Sequence, residues 1–94
     1  MATAIAAARL VTRHAADRFE TEDGDGACRM AKLLASETAL DVTLEAMRIH
    51  GGYGYTTEFP VERYYRDAAG LVLTPEANDA ERLALARALT QGHP

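Results

Sequence analysis

Residues 27–50 read ACRMAKLLASETALDVTLEAMRIH, and the spacing of their apolar positions decides the fold. Wound at 3.6 residues per turn, Cys28, Ala31, Ala35, Ala39, Val42, Ala46 and Ile49 share one face rich in small side chains. Leu33, Leu40, Leu44 and Met47 form a second, nearly opposite face. Two polar seams run between them, Arg29, Lys32 and Ser36 on one side and Glu37, Asp41 and Arg48 on the other. A helix over this stretch is roughly 36 Å long at about 1.5 Å per residue. An ordinary surface helix carries one apolar stripe; two stripes require partners on both sides. The rest of the 94-residue chain hardly covers both, which predicts a subunit or domain interface as well as an internal core.

The helix runs into AMRIHGGYGYTTEFPVERYYRDA, residues 46–68, where three of the seven glycines fall within four positions. A helix that stops at Gly51-Gly52 leaves backbone groups uncapped and lets another backbone or a phosphate come close. A ligand is expected there. Beyond it, Pro60 suits the first turn of a short helix, because its missing amide hydrogen would be unpaired in that position. Glu62 and Arg66 are four apart and can pair, and Gly70 is expected to end the element.

Upstream, residues 2–19 read as a helix with Ala4, Ile5, Ala8, Val11, Thr12, Ala15, Ala16 and Phe19 on one arc and Arg9, Arg13 and Asp17 opposite. Thr3 is its one candidate cap, and His14 sits at the edge of the arc without a second ligand four residues on. Residues 21–26, TEDGDG, are a turn by composition, with Asp25 or Gly26 capping the next helix. Their acids lack the ligand spacing of a calcium loop. Downstream, Thr74-Pro75-Glu76 reads as a helix start with a hydroxyl cap, proline in the first position and an acid in the first turn. That last helix is expected to reach about Thr90, burying Ala77, Ala80, Leu83, Ala84 and Ala88, with Leu85 and Leu89 turned toward an outside partner.

The totals set bounds. A chain this short makes one domain and hides only about 60–65 % of its surface, so its own core is marginal. Cys28 is alone, which excludes a disulfide, and inside a helical pattern it reads as a small buried apolar residue. A net charge of −4 with scattered basic residues speaks against nucleic acid. No run approaches the roughly 20 apolar residues that span a bilayer, and the N-terminus lacks the charged and apolar regions of a signal peptide. The expectation is an all-α, cytoplasmic protein of three main helices and one short one, with no membrane partner and no metal site.

Residues 30–37 (MAKLLASE), 48–55 (RIHGGYGY), 58–63 (EFPVER) and 66–68 (RDA), followed by Arg82 and Ala86-Arg87, stand in an order and at separations that resemble the C-terminal helical domain of the FAD-dependent acyl-CoA dehydrogenases. The resemblance covers essentially the whole chain and starts inside that domain. It implies α,β-dehydrogenation of an acyl-CoA thioester. A glutamate takes the α-proton, flavin N5 accepts the β-hydride, and electrons pass to an electron-transfer flavoprotein. It also implies a dimer or tetramer in which the glycine segment of one subunit touches the FAD of its neighbour. On that pattern Arg48, Gly51 and Gly52 are the cofactor-binding residues, with arginine standing where family members usually carry glutamine.

The resemblance also exposes a departure. Many family members place the catalytic glutamate at the start of the last helix, and an ungapped count from Arg66 to Arg82 puts Pro75 there. Glu76 serves as a fallback only if the backbone shifts by one residue. The family's N-terminal and β-domains lie outside these residues, so acyl-CoA is reached only through a partner. Two readings follow. The chain is the C-terminal segment or split subunit of an acyl-CoA dehydrogenase, sharing FAD with a larger subunit and inactive alone. Alternatively it is a non-catalytic helical assembly module, a homo-oligomer that keeps the fold without flavin.

Overall fold

The computed structural model describes residues 1–52, 60–74 and 76–91. Four helices follow in order, α1 (Ala2–Asp17), α2 (Gly24–His50), α3 (Pro60–Leu71) and α4 (Asn78–Thr90), with no strand among the described residues. The all-α expectation holds. The two-faced helix is the hub: α1, α3 and α4 each pack against α2, and no other pair of these helices packs together.

Small side chains set the closest approach. Ala15 of α1 meets Ala27 and Ala31 of α2, with Val11 and the half-buried Cys28 packed alongside. On the α3 side, Met47, Val61 and Ala68 are the buried apolar residues; Val61 and Ala68 are seven apart and share a helix face. Glu62 and Arg66 pair at 2.6 Å, as their spacing predicts.

Several boundaries differ from the sequence reading. Helix α1 stops at Asp17, because the Arg18 and Thr21 amides close successive turns onto the His14 and Arg18 carbonyls at 3.0 Å each. Phe19 thereby leaves the apolar arc and is 71 % exposed. Neither Thr3 nor any other side chain caps α1. Helix α2 begins at Gly24, so Asp25 and Gly26 lie inside it and the cap position is Asp23. The Asp23 carboxylate does not cap the helix. It accepts from the Thr21 hydroxyl, which chiefly holds its pKa below the ordinary value, and lies 3.9 Å from Arg18.

Gly70 lies within α3, which continues one residue further. Helix α4 begins at Asn78 and not at Thr74, since Ala77 is extended (φ −60°, ψ 144°). The Thr74 hydroxyl instead donates back to the Gly70 carbonyl at 3.0 Å, and the Asn78 amide to Val72 at 2.9 Å. Leu83, expected inside, is 52 % exposed, while Asn78 and Glu81 are the buried residues of α4.

The assembly of helices is not closed. Its Cα radius of gyration is 15.4 Å, against about 12 Å for a compact domain of this length. Its accessible surface is 6540 Å², against about 5,300 Å² from mass scaling. No large side chain is fully buried among the described residues, and Leu10, Met30, Leu34, Ile49 and Leu89 are exposed. A groove of about 390 Å³ runs over Val11, Met30, Leu33 and Leu34 between α1 and α4, where a fourth wall would close the bundle.

Candidate functional site

The predicted cofactor residues come together at the C-terminal end of α2. Gly51 ends the helix with φ 63° and ψ −138°, a combination that a side chain disfavours, and its amide donates to the Arg48 carbonyl. A Cβ at Gly51 or Gly52 would meet nothing within 4 Å among the described residues. Among the described residues the glycines therefore relieve no crowding, and their backbone lies open to an approaching group. Arg48 is exposed beside them and pairs with Glu45 at 2.5 Å. His50 Nδ1 lies 2.8 Å from the Ala46 carbonyl.

The helix dipole is negative at this end and opposes an anion, so Arg48 must supply the attraction for any phosphate that sits there. Its exposed partner Glu45 holds it weakly, since surface pairs contribute about 0–1 kcal/mol. Residues 53–59, the remainder of the glycine–aromatic stretch before Pro60, lie outside the described residues. No group of histidine, cysteine and acidic side chains that could hold a metal occurs among the described residues, and His14 is exposed.

The second predicted position lies at the start of α4. Pro75 is outside the described residues. Glu76 lies two residues before the helix instead of in its first turn, and its Oε2 is 3.1 Å from Arg29 Nη1. Its pKa is held below the ordinary value by a hydrogen bond with Glu81 and then by Arg29. An efficient general base needs a pKa near the working pH and a free approach to the proton.

Arg29 and Lys32 reveal a role that spacing alone did not. The seam Arg29, Lys32, Ser36 is where α4 docks. Arg29 also reaches Glu81 at 3.4 Å, and Lys32 donates to the Glu76 carbonyl at 2.6 Å and to Asn78 Oδ1. Asn78 Nδ2 donates to the buried Ser36 hydroxyl at 2.9 Å and to Glu37 at 3.1 Å, and Arg82 pairs with Glu37. Every buried side-chain nitrogen and oxygen among the described residues has a partner. The available signal was the i, i+3, i+7 spacing of the α2 seam facing Asn78 and Glu81, also three apart; polarity alone hid that both sets are inside.

The helical hub, the glycine end and the polar seam together define an all-α domain in which α1, α3 and α4 gather around α2. Residues 1–90 match the family model described as acyl-CoA dehydrogenase, C-terminal domain, and the chain belongs to the acyl-CoA dehydrogenase family. It is 43 % identical over 91 residues to a probable acyl-CoA dehydrogenase of Mycobacterium tuberculosis, covering 95 % of this chain and 23 % of that protein. Cyclohexane-1-carbonyl-CoA dehydrogenase of Geobacter metallireducens is 41 % identical over 87 residues, covering 92 % and 23 %. Mitochondrial isobutyryl-CoA dehydrogenase of Bos taurus is 36 % identical over 93 residues, covering 97 % and 22 %. A solved chain, from work on the electron transferring flavoprotein of Acidaminococcus fermentans and flavin-based electron bifurcation, superposes with a TM-score of 0.84 at 41 % identity. That match covers 95 % of this chain and 24 % of that one. The chain thus spans under a quarter of the length of these relatives.

Proposed function

We propose that these residues form the C-terminal helical part of an FAD-dependent acyl-CoA dehydrogenase. In this reading they supply a flavin contact and an assembly surface to an active site whose other walls belong to a larger subunit or the remainder of the protein. The observation that carries the reading is the match of residues 1–90 to that domain, in a chain whose hub helix ends in open glycines. Gly51 and Gly52, which no described residue crowds, admit a diphosphate to the backbone, and Arg48 gives it a charge-assisted hydrogen bond. FAD, when bound, accepts the hydride taken from the acyl-CoA β-carbon. Arg48, Gly51 and Gly52 orient it from outside the reacting centre.

In this reading the chain contributes no proton acceptor. Pro75 has no ionisable group, and Glu76 is engaged by Arg29 and Glu81. The base and the acyl pocket come from the other structure, so acyl-CoA meets this chain only through a partner. The uncovered faces bearing Leu34, Ile49 and Leu89 then serve subunit contact. Co-expression with a dehydrogenase truncated before this domain tests the reading. A yellow complex that forms 2-enoyl-CoA is expected; failure of this chain to join any such partner opposes it. The departure at Pro75 specifically favours a second reading, a non-catalytic assembly module, which predicts a colourless homo-oligomer.

A further inference from the structure

Helix α4 is held mainly by its first turn. Its buried residues are polar, Asn78 and Glu81, while Leu83 and Leu89 face outward. Arg29 sits at the centre of that contact. Its Nε pairs with Asp25 at 3.1 Å, and one nitrogen, Nη1, faces both Glu76 at 3.1 Å and Glu81 at 3.4 Å. Lys32 is the other cation, spent on the Glu76 carbonyl and Asn78. With every acid ionised, three carboxylates would face two cations, and one of them, Glu81, has a side chain only 7 % exposed. A buried charge without a full partner is costly; one proton restores the balance.

We propose that Arg29, Glu76 and Glu81 form a proton-operated latch: with one proton held between the two carboxyl groups α4 is docked on α2, and release of that proton to solvent loosens it. The charges around the pair come from α2 (Asp25, Arg29, Lys32 and Glu37) and from α4 itself (Asp79 and Arg82), because α4 packs against no other helix. Burial first, and then the hydrogen bond to Glu76, push the Glu81 pKa up, whereas Glu76 is pushed down by its bond with Glu81 and by Arg29. The geometry agrees with these directions: the proton belongs on Glu81, whose side chain is buried, and the negative charge on Glu76, which is exposed and nearer to Arg29 Nη1. The signs follow. Glu81, raised on docking, contributes fully below its undocked pKa and loses that contribution as pH rises through its docked value. Glu76, lowered on docking, contributes above its undocked pKa and loses it as pH falls through its docked value. Docking is tightest between the two.

The latch makes no use of flavin, so its test is independent of the proposed function. Amide hydrogen exchange on the intact chain, corrected for intrinsic rates, should show protection of α4 relative to α1 falling at least about threefold between about pH 5 and about pH 8. Glu81→Gln keeps the size and the donor but removes the proton equilibrium, and should hold α4 protection nearly constant over that range. Flat protection in the parent chain, or an unchanged pH dependence in the variant, overturns the latch. If the variant does not fold, carboxyl carbon NMR of Glu81 in the parent chain decides. Titration above the ordinary glutamate value supports the latch, and titration at or below it overturns it.

Discussion

Replacing Gly24 by alanine should destabilise the α1–α2 pair through backbone crowding alone. A Cβ built on Gly24 lies 2.4 Å from the Arg18 carbonyl oxygen and 2.6 Å from that of Phe19. Both obstacles are main chain, so no flexible side chain can swing aside. The Arg18–Phe19 segment is also tied in place by the turn bonds into and out of Arg18. Overpacking of this kind costs about 1–3 kcal/mol, offset by at most about 1 kcal/mol from the better helix propensity of alanine. A net loss of about 1–2 kcal/mol lowers the melting temperature of a domain this size by about 4–16 °C. Thermal unfolding followed by helical circular dichroism measures it, and Gly52→Ala, whose Cβ would meet nothing within 4 Å among the described residues, is the control. A Gly24→Ala chain that melts at or above the parent temperature would refute the crowding argument.

Met47→Ala removes a side chain only 4 % exposed and should cost about 2–5 kcal/mol, read as a lower denaturant midpoint. Glu62→Gln breaks the exposed α3 pair and should shift stability by no more than about 0.5 kcal/mol, a change near the resolution of the same assay. The Arg82 hydrogen bond first, with help from Asn78, holds the Glu37 pKa below its ordinary value. Its stabilisation is complete above the unfolded carboxylate pKa and disappears as pH falls through the folded one. Glu37→Gln should accordingly flatten the acid limb of a stability–pH curve. Arg48→Glu should lower flavin retention in the reconstituted complex without changing the helical content of this chain, checked by visible absorption beside circular dichroism.

The hub helix was legible because its period speaks twice. Small residues on one face and large ones on the other cannot both be solvent-facing, and α2 does carry α1 on its small-residue face, whereas α4 docks on the polar seam. The family, too, was readable from residues 30–37, 48–55 and 66–68 in order. Boundaries were less legible where capping chemistry was ambiguous. Thr21 and Asp23 satisfy each other and not the α2 amides, and Thr74 bonds backward to Gly70, so neither marks the helix start that its type suggested. Leu83 was misplaced because composition ranks leucine above asparagine and glutamate for burial. Asn78 and Glu81 are nevertheless inside, since Ser36, Lys32 and Arg29 already wait on α2 with matching hydrogen-bonding groups. Gly24 carried no sequence signal beyond its place in a glycine-rich turn; its constraint is the approach of the Arg18–Phe19 backbone, visible only in three dimensions.

The central claim is that Arg48, Gly51 and Gly52 are half of a flavin site completed by other structure. Native mass measurement with a visible spectrum on the assembly purified from cells tests it most directly. A complex that holds a second, larger polypeptide beside the 10.2 kDa chain, carrying flavin that Arg48→Glu loosens, is the predicted result. A colourless particle containing only copies of this chain would contradict it.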